Sequence, residues 1–180
     1  MAPKASKKTI RVAVNGAAGR MGRRIVALIQ ETPGLSLAAA MESSGSEHLG
    51  ADAGTLAGIG ELGVKVVDRL PADGVDVMID FSLPAGTAAR VPEAAAVGVA
   101  MVIGTTGLDD VTLRLVAEAA KKVPVVHAAN MSVGVNVLLK VAAELAKTLG
   151  RAYDIEIVEA HHRFKKDAPS GTALALAKSI

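Results

Sequence analysis

Ile10-Arg11-Val12-Ala13-Val14-Asn15-Gly16-Ala17-Ala18-Gly19-Arg20-Met21-Gly22 is the stretch that decides the fold. Ile10–Val14 is a short apolar run rich in β-branched residues, and Asn15-Gly16 ends it. Met21, Ile25, Leu28 and Ile29 then recur at helical spacing. The order is therefore strand, glycine-rich turn, helix. Glycines permit a sharp turn and let an anion such as a pyrophosphate approach backbone N–H groups, and the helix N-terminus adds a favourable field. The spacing is G-x-x-G-x-x-G, not G-x-G-x-x-G, so the reading rests on the strand–turn–helix context and not on the pattern alone.

Working outward, four more short and nearly all-apolar runs read as strands: Leu35–Met41, Val75–Ile79, Val99–Ile103 and Val123–Val126. Helices are expected at Pro84–Val97, with Pro84 near a first turn, and at Asp109–Lys122, where Asp109-Asp110 precede an amphipathic stretch. Strands apolar on both faces and separated by helices predict a parallel sheet covered on both sides. The fold class is α/β, a Rossmann-like doubly wound sheet. Glu42–Gly60, rich in Gly, Ser and Ala without a period, reads as a long loop with one helical turn near Leu49. Ser132–Leu149 reads as a long helix stopped by Gly150. In Tyr153–Glu159 apolar and acidic residues alternate, which predicts a strand with one wet face and the start of a second, α+β domain. The expected organisation is a basic tail at 1–8, a dinucleotide-binding domain at 9–130, and the N-terminal part of a substrate and oligomerisation domain at 131–180.

Composition excludes several functions. Only Phe81, Tyr153 and Phe164 carry aromatic rings besides histidine, too few to stack successive bases, so no nucleic-acid partner is expected. There is no Cys, which removes thiolate nucleophiles and Cys-ligated metal sites. The net charge of +2 comes from Lys4, Lys7 and Lys8 in the tail; without them 17 basic residues face 18 acidic ones. No basic face is thereby implied. The tail lacks a following apolar region and no run approaches a membrane span, so a cytoplasmic protein without a membrane partner is expected.

Chemistry concentrates at strand ends and in one late segment. Glu42 lies 20 residues past Gly22, where a carboxylate can accept from ribose hydroxyls. Ser43 follows it, and no Arg or Lys occurs between Glu42 and Lys65. A 2′-phosphate would meet a carboxylate there, so NADH is favoured over NADPH, or the two are weakly discriminated. Asp80-Phe81-Ser82 and Gly104-Thr105-Thr106-Gly107 also follow strands, at the sheet edge where open α/β folds bind ligands. The strongest segment is Glu159-Ala160-His161-His162-Arg163-Phe164-Lys165-Lys166-Asp167-Ala168-Pro169-Ser170-Gly171-Thr172. Ser170 can cap a helix whose first-turn N–H groups, beside Lys165 and His162, suit a carboxylate or phosphate. A histidine there can supply a proton near neutral pH. Consecutive histidines in an extended segment point to opposite sides, so they are poor co-ligands and no metal is expected.

With these residues in view, the chain resembles the 4-hydroxy-tetrahydrodipicolinate reductase (dihydrodipicolinate reductase) family of the diaminopimelate route to lysine. The resemblance runs from about Ile10 to the C-terminus. It rests on Gly16–Gly22, Asp80–Ser82, Gly104–Gly107, Ala128–Asn136 and above all Glu159–Thr172. It implies an NAD(P)H-dependent oxidoreductase. The cofactor would be bound by Gly16, Ala17, Ala18, Gly19, Arg20, Met21, Glu42, Phe81, Gly104, Thr105, Thr106, Ala128, Ala129, Asn130 and Met131. His161 and Lys165 would be the proton-handling pair. His162, Lys165, Ser170, Gly171 and Thr172 would grip the two carboxylates of a small cyclic substrate. The resemblance also implies a homotetramer. The chain departs from the family at Ser43, where some relatives carry an Arg, and at Phe164, where some carry a polar ring. Family members continue for several more strands past the position of Ile180. The alternatives are a non-catalytic dinucleotide-binding fragment, or another two-domain NAD(P)-dependent dehydrogenase.

Overall fold

The computed structural model describes residues 9–163 and 168–180. They fall into two compact units, one ending at Ala128 and one spanning Ala129–Ile180.

The first unit runs β1 (Ile10–Asn15), α1 (Arg20–Glu31), β2 (Leu35–Met41), α2 (Ala53–Ala57), β3 (Val66–Val67), β4 (Val77–Asp80), α3 (Pro84–Ala96), β5 (Ala100–Ile103), α4 (Asp110–Ala120) and β6 (Val125–His127). The six strands form one sheet in the order β3-β2-β1-β4-β5-β6. Every pairing is parallel. The order reverses between β1 and β4, and that switch point opens the crevice in which such sheets hold ligands.

Both faces of the sheet are buried, as the apolar runs require. Along β1, Val12 and Val14 face one core with Val26, Ile29, Ala40 and Val66. Ala13 faces the other core with Met78, Val91, Met101 and Val116. With so few rings, the bulkiest fully buried side chains are Met41, Met78 and Met101. Methionine is flexible enough to fill gaps that aromatic rings would otherwise occupy. Each such burial contributes about 1.5–3 kcal/mol. The two-sided core is thus aliphatic and thioether throughout.

Registry places the strand ends together. Asn15 pairs with both Met41 and Asp80, and Asp80 with Ile103. Residues 16, 42, 81 and 104 therefore leave the sheet along one edge.

Two expectations need correction here. Glu42–Gly60 is not a loop throughout: α2 forms at Ala53–Ala57, because Asp52 caps it by accepting from the N–H of Thr55 at 3.0 Å and also holds Leu62 N at 3.0 Å. Leu49 lies in a turn ahead of that helix. The two-residue β3 was not anticipated, since so short a strand has no readable period.

Asp109 caps α4 as its sequence position suggests, accepting from Thr112 N at 2.8 Å. Hydrogen bonding from Thr112, aided less by the charge of Arg114, holds its carboxyl below the usual range. A carboxyl depressed in the folded state contributes stability above its unfolded value and loses that contribution as pH falls through the folded one. Asp109→Ala should therefore lower the melting temperature at pH 7. The gap from the parent should close below about pH 4. Thermal melts at the two pH values measure this, and a gap that persists in acid would contradict it.

The second unit holds α5 (Val133–Leu149), a 3₁₀ turn at Gly150–Ala152 and α6 (Gly171–Ser179). Ser132 caps α5 through Val135 N, and Gly150 ends it. The expected strand at Tyr153–Glu159 does not form, and the segment carries no regular secondary structure. A strand needs lateral partners for its backbone, and none of the described residues pairs with it. No helix among the described residues is long and apolar enough to cross a membrane.

Candidate functional site

The glycine turn between β1 and α1 is held from below. Gly16 N and Ala17 N both donate to Met41 O, at 2.9 and 3.1 Å, and Gly19 N donates to Gly16 O. Ala18 N donates to Glu42 Oε1 at 2.9 Å, and Arg23 Nε returns to Ala18 O at 2.7 Å. Glu42 is thus a brace of the turn as well as a candidate ribose acceptor. The N–H groups of residues 16–19 are used within the turn. Those left for an anion belong to the first turn of α1, Arg20, Met21 and Gly22, where no side chain caps the helix and no acidic residue stands.

Gly22 shows why the turn is so tight: a Cβ there would lie 2.0 Å from Gly16 O. Gly104 serves a different contact, since a Cβ would meet the Phe81 ring at 2.3 Å. The Phe81 ring therefore packs closely on the backbone at the end of the next strand.

Beneath these loops sits Asp80, fully buried. Its carboxylate accepts from Asn15 Nδ2 at 3.1 Å, Ser82 N at 2.9 Å, Ser82 Oγ at 2.6 Å, Thr87 Oγ1 at 2.6 Å and Thr105 Oγ1 at 3.2 Å. This hub joins the ends of β1, β4 and β5 to the first turns of α3. Thr105 is accordingly buried as a structural donor, while Thr106 remains exposed. Asn15 and Thr87 belong to this hub without having been singled out from the sequence, whereas Asp80 was, as part of Asp80-Phe81-Ser82 at the sheet edge. A buried Asp directly after an apolar strand was the available signal.

A cavity of about 770 Å³ opens above the switch point, a size typical of small-molecule sites. Of the expected cofactor residues, Gly16, Ala18, Gly19, Glu42 and Phe81 line it. Ala17, Arg20, Met21, Gly104, Thr105 and Thr106 do not, although they border it in sequence or through the contacts above. The lining also includes Arg69 and Arg90, which a scan confined to residues 42–65 could not find. Arg90 is buried; it donates through Nη1 to Glu93 at 2.9 Å and through Nη2 to the carbonyls of Glu42 (3.3 Å) and Asp68. A dinucleotide fits this set: a glycine turn packed too tightly for side chains, uncapped helix N–H groups beside it, a carboxylate and the Phe81 ring. Ala128 leaves β6 with its N–H on Ile103 O at 3.2 Å.

In the second unit, Asn130 organises the helix starts. Its Oδ1 accepts from Ser132 N at 2.8 Å, its carbonyl accepts from Asn136 Nδ2 at 3.0 Å, and its Nδ2 lies 3.4 Å from Thr172 Oγ1. Ala129 and Met131 flank it. Ser170 is buried and caps α6 through Ala173 N at 3.1 Å, as its position before Gly171-Thr172 suggests. Glu159 ties this helix start to the paired histidines: Oε1 accepts from Ser170 N at 2.8 Å, and Oε2 stands 3.7 Å from His161 Nδ1. Glu159 thus joins the candidate set. His161 and His162 are both exposed. Lys165 and Phe164 lie outside the described residues. Among the described residues no cluster suited to a metal ion occurs.

Comparison with known proteins gives two family matches. Residues 10–131 match "Dihydrodipicolinate reductase, N-terminus", and residues 134–180 match "Dihydrodipicolinate reductase, C-terminus". The chain is 54% identical over 168 residues to the 4-hydroxy-tetrahydrodipicolinate reductase of Anaeromyxobacter dehalogenans (strain 2CP-C), covering 92% of this chain and 62% of the relative. It is 51% identical over 174 residues to that of Alkalilimnicola ehrlichii, covering 96% of this chain and 65% of the relative. The chain therefore spans somewhat under two thirds of the length of these relatives. Among solved structures, the dipicolinate-bound dihydrodipicolinate reductase from Paenisporosarcina sp. TG-14 superposes with a TM-score of 0.70 at 28% identity, over 95% of this chain and 65% of that one. GenD2 from gentamicin A biosynthesis, in complex with NAD, shares the fold at a TM-score of 0.59 and 22% identity, over 80% of this chain and 42% of that one.

Proposed function

This chain belongs to the dihydrodipicolinate reductase family, and from that premise we propose that it carries the cofactor site and the substrate-gripping segment of a reductase that converts 4-hydroxy-tetrahydrodipicolinate to tetrahydrodipicolinate with NAD(P)H. The observation that carries this reading is Glu159, whose carboxylate reaches both His161 and the capped start of α6. That contact gathers a proton carrier and an anion-binding helix end in one short segment.

The first unit supplies the dinucleotide site through Gly16–Met21, Glu42, Phe81, Gly104–Thr106 and Ala128; the resemblance adds Ala129, Asn130 and Met131, which open the second unit. When bound, the reduced nicotinamide supplies a hydride. The first-turn N–H groups of α1 hold the pyrophosphate, and Glu42, with Ser43 after it, accepts from an unphosphorylated ribose and supports NADH use. Asp80 keeps the three loops in place while remaining out of contact with ligand.

The second unit supplies the anion grip. Ser170 is buried and holds the α6 turn, so that the N–H groups of Gly171 and Thr172, with the Thr172 hydroxyl, His162 and Lys165, meet the two carboxylates. Negative charge that develops on the ring nitrogen is offset by Lys165 and by the helix terminus. His161 and Lys165 form the proton-handling pair, and Glu159 stands beside Nδ1 of His161, leaving Nε2 for transfer. We further assign the protein to the cytoplasm, where the nicotinamide pool is. We also assign it to a homotetramer, for which Val137, Val141 and Leu145, 55–56% exposed along one stripe of α5, offer apolar surface. Sedimentation as a monomer at working concentrations contradicts the tetramer.

The direct test follows oxidation of the reduced cofactor with freshly generated 4-hydroxy-tetrahydrodipicolinate, alongside calorimetry with pyridine-2,6-dicarboxylate. Turnover, and binding of the dicarboxylate, are expected. A folded protein that binds NADH but neither turns over nor responds to the dicarboxylate would be a binding module, and the reductase reading would fall.

A further inference from the structure

We propose that Arg69, two residues past the end of β3, is a specificity-determining residue that receives a 2′-phosphate and lets the same cavity accept NADPH as well as NADH. The proposal rests on the reading of this cavity as the dinucleotide site. It goes beyond that reading by naming the residue that answers the Glu42-Ser43 pair.

The strand registry supplies the geometry. Met41 of β2 pairs with Val67 of β3, and Glu42 N donates to Val67 O at 2.9 Å, so the two chains leave the sheet side by side. Ser43 and Arg69 are each two positions past that pair. A cation absent at position 43 is thus restored from the neighbouring strand, at the same edge of the sheet. Arg69 lines the cavity together with Glu42, Ser43, Ser44 and His48.

The neighbouring guanidinium sets the stage but is already engaged. Arg90 binds the carbonyls of Glu42 and Asp68 with one nitrogen and Glu93 with another. One buried side chain thereby fixes the separation of the two strand exits, and its charge is answered by Glu93. Arg69 differs. It is exposed, and among the described residues no hydrogen bond or ion pair engages its side chain. A guanidinium offers a planar pair of donors that matches phosphate oxygens. The hydroxyls of Ser43 and Ser44 and the half-buried His48 add further polar contacts. The carboxylates of Glu42 and Asp68 line the same cavity, so a 2′-hydroxyl is also accommodated. The balance favours use of both cofactors over exclusive use of either.

Equilibrium titration by cofactor fluorescence tests this without reference to turnover. The parent protein should bind NADPH and NADH with Kd values within about tenfold of each other. A hydrogen-bonded charge is worth about 1.5–3 kcal/mol, so Arg69→Gln should weaken NADPH binding by roughly 10- to 100-fold and leave NADH within about twofold. Adenosine 2′,5′-bisphosphate should compete against NADH in the parent and lose that ability in the variant. Unchanged NADPH affinity in Arg69→Gln, or equal weakening of both cofactors, overturns the role of Arg69. A folded parent that binds neither dinucleotide overturns the cavity assignment itself, and the proposal with it.

Discussion

Replacing Asp80 by Ala is expected to cost at least about 3 kcal/mol, and in a domain of ordinary stability, about 5–15 kcal/mol, that is enough to abolish the fold in part of the population. The estimate follows from what Asp80 holds. Its carboxylate is fully buried and takes hydrogen bonds from Asn15, Ser82, Thr87 and Thr105. Asn15, Thr87 and Thr105 are themselves buried. Truncation leaves the buried hydroxyls of Thr87 and Thr105 unpaired at about 1–3 kcal/mol each and leaves Asn15 Nδ2 with only Ser82 Oγ at 3.1 Å, before any cavity is counted. Asp80→Asn keeps the shape and one acceptor oxygen, so it should fold and lose less. Chemical denaturation of both variants, read with dinucleotide affinity, measures the effect. Because the hub joins the loops that follow β1, β4 and β5, affinity should fall with stability in Asp80→Ala. A loss under about 1 kcal/mol would show that the network relaxes around the gap, and would remove Asp80 as the keystone of the edge.

The contrast between local and convergent features explains what the sequence reveals. Asp109 and Ser170 are legible as caps because the capped N–H lies three residues ahead, within the same short segment. The glycine turn is legible for the same reason in part: Gly19 and Gly22 close on Gly16 within one short segment, whereas the space at Gly16 is taken by Ser82 from the end of β4. The parallel sheet follows from runs apolar on both faces, and the cores on either side of Val12-Ala13-Val14 bear that out. The Asp80 hub is different in kind. Its donors come from positions 15, 82, 87 and 105, and only the order of strands brings them together. Arg69 and Arg90 likewise reach the Glu42 corner through β3 and α3, so a search along the chain near Glu42 misses both. Tyr153–Glu159 shows the converse. Its alternation is a property of side chains, whereas a strand is a property of backbone pairing, and none of the described residues supplies a partner.

Lys165→Ala should reduce kcat/KM by at least about 100-fold, equivalent to about 2.7 kcal/mol of transition-state stabilisation. Lys165 lies in sequence between His161 and Ser170, both of which Glu159 reaches. On the proposed reaction, the substrate would be a dianion before reduction and would gain negative character at nitrogen during it. A cation beside it therefore acts twice, on binding and on the developing charge. The two contributions separate experimentally. Affinity for pyridine-2,6-dicarboxylate reports the ground-state grip and should weaken by about tenfold, the worth of one charge-assisted contact. The remainder should appear in kcat, because only an interaction stronger in the transition state accelerates the chemical step. Lys165→Arg keeps the charge but replaces a compact ammonium with a planar fork, so it should recover dicarboxylate affinity more fully than kcat. Cofactor affinity should be unchanged in both variants, since the cavity proposed for the dinucleotide is lined by residues of the first unit. Near-normal turnover in Lys165→Ala would remove Lys165 from the mechanism and leave His161, aligned by Glu159, as the proton carrier.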